Sequence, residues 1–204
     1  MNNLDVILQK QLPTVMVPRY EELAPCGLYK SRFLMGAGGL FVETRQPYGV
    51  FRGCLWSSPR KLPYGAVEER DDLTPILRNE TVQTIIRGVV VPEASVYAAT
   101  NREWAGWIVW NAGAGYEYMP LDFEARTGRV RFARPDLPEG TSLAVDIHSH
   151  GKIAPFFSWI DDRDDAGGVR LCVVIGGYTP ESRFSFRSRV IVEGHFFDHM
   201  EEEQ

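Results

Sequence analysis

The sequence has no apolar run approaching membrane-spanning length. Its start, MNNLDVILQKQLP, lacks the basic segment and apolar core of a secretory signal. Both absences lead us to expect a soluble, cytoplasmic protein. Cysteine is sparse: Cys26, Cys54 and Cys172 are odd in number, far apart and in no Cys-x-x-Cys pattern. That usage argues against a disulfide scaffold and suits a reducing compartment. Basic charge is not in excess either. The 22 Lys and Arg against 27 Asp and Glu give a net charge of −5 and a pI near 5.4. Bulk electrostatics therefore give no reason to expect nucleic acid or an anionic membrane as partner. Internal repeats and low-complexity tracts are lacking too. What is present is 204 residues, 44% of them hydrophobic, enough for one large domain or two small ones with proper cores.

A short amphipathic piece, Leu4 to Leu12, ends at Pro13. From Gly27 to Trp56 the pattern is of strands, LYKSRFLM, GLFVETR and YGVFRGCLW, separated by Gly36-Ala37-Gly38-Gly39 and Gln46-Pro47. The glycine cluster lacks the following helix and the lysine of a phosphate loop, so it reads as a hairpin turn. Residues 57 to 80 are rich in proline and charge without a sustained period, and read as a linker. We expect a β-rich N-terminal module with this linker over 1–80 and a second domain over 81–204. In the second part, VQTIIRGVVV (82–91) reads as a strand or a short helix and strand, and Pro92 opens a helix, EASVYAATNREW. AGWIVWN is a strand, and VRLCVVIGG has the continuous apolar character of a strand buried on both faces. SRFSFRSRVIV alternates, with Arg183, Ser185, Arg187 and Arg189 opposite Phe184, Phe186 and Val190. Those arginines read as the wet face of an edge strand, or as a docking surface for an acidic partner. The fold class is mixed α+β or α/β.

The apolar strand Leu143 to Ile147 runs into His148-Ser149-His150. Side chains two apart on a strand share a face, so both imidazoles point the same way. Ser158 and Asp161 stand three apart at a helix start in SWIDDRDDA, and share a face there. Two imidazoles and one carboxylate make three protein ligands, the usual number in a catalytic zinc site whose fourth position is left to water. The competing reading makes Ser158 and Asp161 merely a capping box. Both can hold for the helix, but a capping box does not require two same-face histidines upstream.

The pattern His-x-His-x7-Ser-x-x-Asp resembles the motif of the JAMM (JAB/MPN-plus) zinc metalloproteases. The glutamate of that family usually lies in a Glu-x-x-Gly segment leading into an apolar strand, and Glu103-Trp104-Ala105-Gly106 followed by Trp107 to Trp110 is similar. The resemblance covers roughly residues 82 to 195. It implies a JAB/MPN-like (cytidine-deaminase-like) domain, a central mixed sheet flanked by helices, with zinc on His148, His150 and Asp161. One departure stands out: the family commonly has proline after the second histidine, where this chain has Gly151. Size and layout resemble the protein A type of the bacterial PRTRC cassette, whose neighbours are ThiF-like (E1-like) and ubiquitin-like proteins.

Chemistry assigns further roles. A general base must take a proton from the attacking water and pass it to the leaving amine, and a carboxylate raised toward neutrality by an apolar wall does this well. Glu103 is that candidate, with Trp104, Trp107 and Trp110 as the wall. Glu93, Glu117 and Glu124 are rivals without glycine three residues on. Ser158 is a candidate oxyanion donor. A nucleophilic role for it would need a free histidine, and both nearby ones are better used as ligands. Asp162, Asp164 and Asp165 read as solvent-facing helix acids. Asp146 could orient a ligand or form a strand-edge salt bridge. His195 and His199 would pair on a metal only if that segment were helical. The function these features favour is a zinc-dependent peptidase or isopeptidase, whose substrate by resemblance is a peptide or the C-terminal tail of a ubiquitin-like protein. A non-catalytic JAB scaffold is the alternative. Other His-x-His metallohydrolases are barrels needing more strand-end histidines than the 54 residues after His150 supply.

Overall fold

The computed structural model describes residues 2–126, 129–179 and 184–199, so Arg183 lies outside the described residues. The chain divides into two compact units, Met1–Leu73 with Val192–His195, and Thr74–Ile191 with Phe196–Gln204.

The first unit begins with helix α1 (Asn3–Gln11), capped by the Asn2 side chain, which accepts the Leu4 N–H. A five-stranded sheet follows, in the order β1 (Thr14–Met16), β2 (Lys30–Gly36), β3 (Gly39–Gln46), β4 (Gly49–Ser57) and β5 (Arg70–Asp71). β1 runs parallel to β2 and the remaining pairings are antiparallel. The glycine cluster is the β2–β3 hairpin turn, with Gly36 opposite Gly39. A Cβ on Gly39 would lie 1.9 Å from the Trp56 carbonyl oxygen, so backbone approach alone requires glycine there. Val17, Leu34 and Phe41 form the core. Beside it Glu43, 2% exposed, pairs with Arg32 and Arg52, which compensate its buried charge.

The second unit is helical over residues 82–91, where a strand or a short helix and strand is expected. Helix α2 (Glu80–Ile85), a π-helical turn (Ile86–Val90) and helix α3 (Val91–Ala99) follow one another without a break. Asn79 starts the run by accepting the Thr81 and Val82 N–H groups. Val82, Val90, Ala94 and Ala98 are fully buried, so packing of one helical face overrides the β-branched composition. Although the helix ends at Ala99 and not at Trp104, Pro92 sits in the first turn of α3, as expected. The wider turn before it, closed by Val91 N–H donating to the Ile86 carbonyl, spares the chain a clash with the proline ring.

The central sheet has six strands in the order β13-β12-β11-β10-β6-β7. These are β6 (Ala105–Asn111), β7 (Gly115–Pro120), β10 (Thr141–Ser149), β11 (Val169–Gly176), β12 (Ser185–Val192) and β13 (His195–His199). β10 pairs parallel with β11 and antiparallel with β6, so the sheet is mixed. A separate hairpin, β8 (Phe123–Arg126) and β9 (Arg129–Phe132), leaves the sheet after β7. Helix α4 (Trp159–Asp164) makes the crossover between β10 and β11. From Arg170 to Gly176, β11 is buried throughout, in keeping with its apolar run.

One expectation is corrected on β12. It lies between β13 and β11, not at an edge, and Arg189 is 3% exposed. Its alternation ends at Arg187, and Ser188 to Val192 are all buried. No helix among the described residues is long and apolar enough to cross a membrane.

Candidate metal centre

Strand β10 delivers His148 and His150 to one face of the sheet at its C-terminal end. His150 N–H donates to the Ile175 carbonyl (2.8 Å), which keeps the strand tip in register with β11. Between them, fully buried Ser149 ties the tip to the opposite neighbour. Its N–H donates to the Trp104 carbonyl (2.8 Å), and its hydroxyl accepts the Trp104 N–H (2.9 Å). Trp104 follows Glu103, so the middle residue of the histidine triplet fixes the glutamate segment to the strand. This role left no local sequence signal, because its partner lies 45 residues away.

Asp161 arrives from the first turn of α4. The capping box is complete: Ser158 N–H donates to Asp161 Oδ2 (2.6 Å), and Asp161 N–H donates to Ser158 Oγ (3.3 Å). The other oxygen, Oδ1, lies 3.3 Å from His148 Nε2. The cap and the candidate ligand thus use different oxygens of one carboxylate.

The Nε2 atoms of His148 and His150 are 3.3 Å apart, and ligand atoms of His148, His150 and Asp161 all lie within 4.8 Å of one another. Two nitrogens on a tetrahedral zinc ion, each bonded at 2.0–2.1 Å, stand about 3.3 Å apart. The donor set therefore fits the ion in both kind and spacing. Burial, aided by the neighbouring His148, pushes the His150 pKa down to about 4. At neutral pH its ring is uncharged, the form that ligates metal.

These three groups line a cleft of about 850 Å³ that also receives Glu103, Ser158 and the β8–β9 hairpin. Burial, reinforced by the charge of Asp161, pushes the Glu103 carboxyl up to about 7, against the stabilising N–H of Val130. The wall that desolvates it differs from the one expected. Phe123, Val130 and Phe132 line the cleft, with Trp107 behind them, its ring 5.9 Å from that of Phe132. Trp104 and Trp110 belong to the opposite face by strand alternation, and the Trp104 indole donates to Glu93. Glu93 also accepts the Tyr118 hydroxyl (2.7 Å) and does not line the cleft. Glu124 lies on its rim, three-quarters exposed beside Arg126.

Beneath the ligands lies a charged cluster that the local pattern did not reveal. Asp165, read from sequence as solvent-facing, is 7% exposed and accepts from Arg170 (2.9 Å) and Arg189 (2.9 Å). Burial pushes its carboxyl up, but the two arginines outweigh that and hold it below the ordinary range. Asp146 is also buried, accepting the Trp107 indole N–H (3.0 Å) with Arg170 at 3.5 Å, so it serves inside the sheet and not at an edge. Burial raises its pKa. Cys172 lies with these two acids within metal-ligand spacing. Its thiol is pushed well up by burial and their charge, and Arg170 and Arg189 already occupy the carboxylates. We read this group as an ion-pair floor. His195 and His199 lie on a strand, where residues four apart are separated by about 13 Å, too far for a shared ion.

Residues 94–189 match the family described as prokaryotic homologs of the JAB domain. Glu103, His148, His150, Ser158 and Asp161 all fall inside the matched segment, and the mixed α/β architecture is consistent with a JAB-like domain. Residues 2–74 match a domain of unknown function, DUF2016. No curated protein matches the chain.

Proposed function

We propose that the JAB-like domain is a zinc-dependent peptidase or isopeptidase. The observation that carries this reading is the pairing of a three-donor set spaced for zinc with the Glu103 carboxylate in the same cleft. Held by His148, His150 and Asp161, zinc would supply Lewis acidity, bringing the pKa of a bound water to about 7. Glu103 accepts the proton of the attacking water and returns it to the leaving amine, a transfer suited to a carboxylate that lines the same cleft as the three donors. Ser158 Oγ accepts one backbone N–H within the capping box, so its own proton is available to the substrate carbonyl oxygen as that becomes an oxyanion.

The substrate class is a peptide entering in extended form, with the C-terminal tail of a ubiquitin-like protein as the favoured case. A ThiF-like activating protein is the partner the family resemblance adds. Exposed Ile153, Phe156 and Trp159 flank the strand tip and helix start, and Phe156 packs edge-on against His150 at 4.6 Å. They are suited to gripping the apolar side chains of such a tail.

The test is mass spectrometry of a ubiquitin-like fusion incubated with wild-type protein and Glu103→Gln. Cleavage by the wild type, reduced by at least about 10²-fold in the variant, is expected. Equal cleavage by both would remove Glu103 from the mechanism. No cleavage by a zinc-loaded wild type would favour a binding scaffold.

A further inference from the structure

We infer that Arg189 is a positioning residue that holds Asp161 and Ser158 in place opposite the two histidines. The inference rests on the metal-centre reading above. Helix α4, which carries Asp161, has six residues and buries none of them. A helix that short has no independent stability, and here Ile160 is its only half-buried apolar side chain. Its anchorage is therefore largely polar: Arg134 donates to the Asp164 carbonyl (2.8 Å) and Arg170 to Asp165, while Arg189 alone of the three reaches the segment on both sides of Ser158 and Asp161.

Arg189 rises from β12 with its guanidinium stacked between two rings, 3.9 Å from the centroid of Phe157 and 4.3 Å from that of Phe196. Nη1 donates to Asp162 (2.5 Å) and Nη2 to Asp165 (2.9 Å). Phe157 immediately precedes Ser158, Asp162 immediately follows Asp161, and Asp165 caps the helix C-terminus. Three of these four contacts therefore bracket the functional pair from both sides. Arg170 does not duplicate this, since on the α4 segment it reaches only Asp165 and the Gly167 carbonyl.

The side chain makes this fork at a cost, because its Nε–H is buried without a hydrogen-bond partner among the described residues. Buried ion pairs add little net stability over well-packed apolar residues of similar volume. What a planar fork adds is geometry: two directed bonds and a stacking plane, which a lysine cannot reproduce. The ligand carboxylate needs that geometry, since it must meet two imidazoles fixed on a different element.

The experiment uses the full chain as wild type, Arg189→Lys, Asp162→Asn and Ile191→Val. The last trims a buried core residue two positions along β12 and lowers stability while leaving the hydrogen-bonding and stacking groups of the clamp in place. Three quantities are read: hydrogen exchange of peptides spanning 157–166 in chelator-treated protein, zinc affinity by competition with a chromophoric chelator, and the visible spectrum of the cobalt-substituted protein. In Arg189→Lys we expect faster exchange confined to 157–166, zinc affinity weakened about 10–100-fold, and a cobalt spectrum altered by displacement of the carboxylate. Asp162→Asn, altered at a half-exposed side chain, should move all three less and in the same direction. Ile191→Val should leave all three at wild-type values despite its lower melting temperature.

Wild-type exchange and affinity in both Arg189→Lys and Asp162→Asn would overturn the clamp. So would an equal loss in Ile191→Val. A wild type that takes up no zinc would overturn the metal centre instead, and the exchange measurement would still decide whether Arg189 holds the segment.

Discussion

Asp161 divides its carboxylate between two tasks, Oδ2 accepting the Ser158 N–H at 2.6 Å and Oδ1 standing 3.3 Å from His148 Nε2. A helix start is thereby aimed at a strand tip. Because an amide oxygen can serve the first task but is a poor substitute for an anion in the second, the two are separable by one substitution. Asp161→Asn should leave the stability of metal-free protein within about 1 kcal/mol of wild type. Its zinc affinity should fall by more than about 100-fold, beyond the loss typical of groups outside the ligand set. Chelator competition beside a denaturant melt checks both; unchanged zinc affinity would remove Asp161 from the centre.

Gly151 follows the second histidine with φ +57, and its carbonyl accepts the Tyr178 N–H (3.0 Å). Proline is locked near φ −65, so the residue common in the family cannot take up this backbone. Gly151→Pro should destabilise by more than about 1 kcal/mol and Gly151→Ala by about 1 kcal/mol, with Gly151→Asn milder than either. Denaturant midpoints give the order. A Gly151→Pro protein with the wild-type midpoint would show that the positive φ is dispensable.

The pH dependence of stability contains two opposed contributions. Folded Glu103 keeps its proton up to about pH 7, whereas the unfolded chain loses it near 4.5. Its stabilising contribution is therefore present below the lower value and is lost as pH rises through the upper one. His150 works the other way. It stays neutral when folded down to about pH 4 while the unfolded chain protonates near 6.5, so its contribution is present above 6.5 and is lost as pH falls toward 4. Comparing Glu103→Gln with wild type isolates the first. In chelator-treated protein the melting temperature of the variant should rise relative to wild type as pH increases from 4.5 to 7. Parallel curves would mean that Glu103 titrates normally.

The histidine pair and the capping serine and aspartate were legible because each depends on spacing along one element, two residues on a strand and three at a helix start. The position of Glu103 in the cleft was legible through its place before an apolar strand. Ser149, Asp165 and Arg189 were not, since their partners lie 45 and 24 residues away and nothing local marks them. The alternation around Arg189 even pointed outward, because a pattern of charge and aromatic residues cannot tell solvent from a buried carboxylate pair. Residues 82–91 misled for a related reason: β-branched composition favours a strand, but the Asn79 cap and burial of Val82 and Val90 make a helix.

Every role proposed for these residues requires one divalent ion held between the tip of β10 and the start of α4. Elemental analysis of gently purified wild type and His148→Ala tests this most directly. We predict close to one zinc per chain in the wild type and little in the variant. No zinc in the wild type, or as much in His148→Ala, would contradict it.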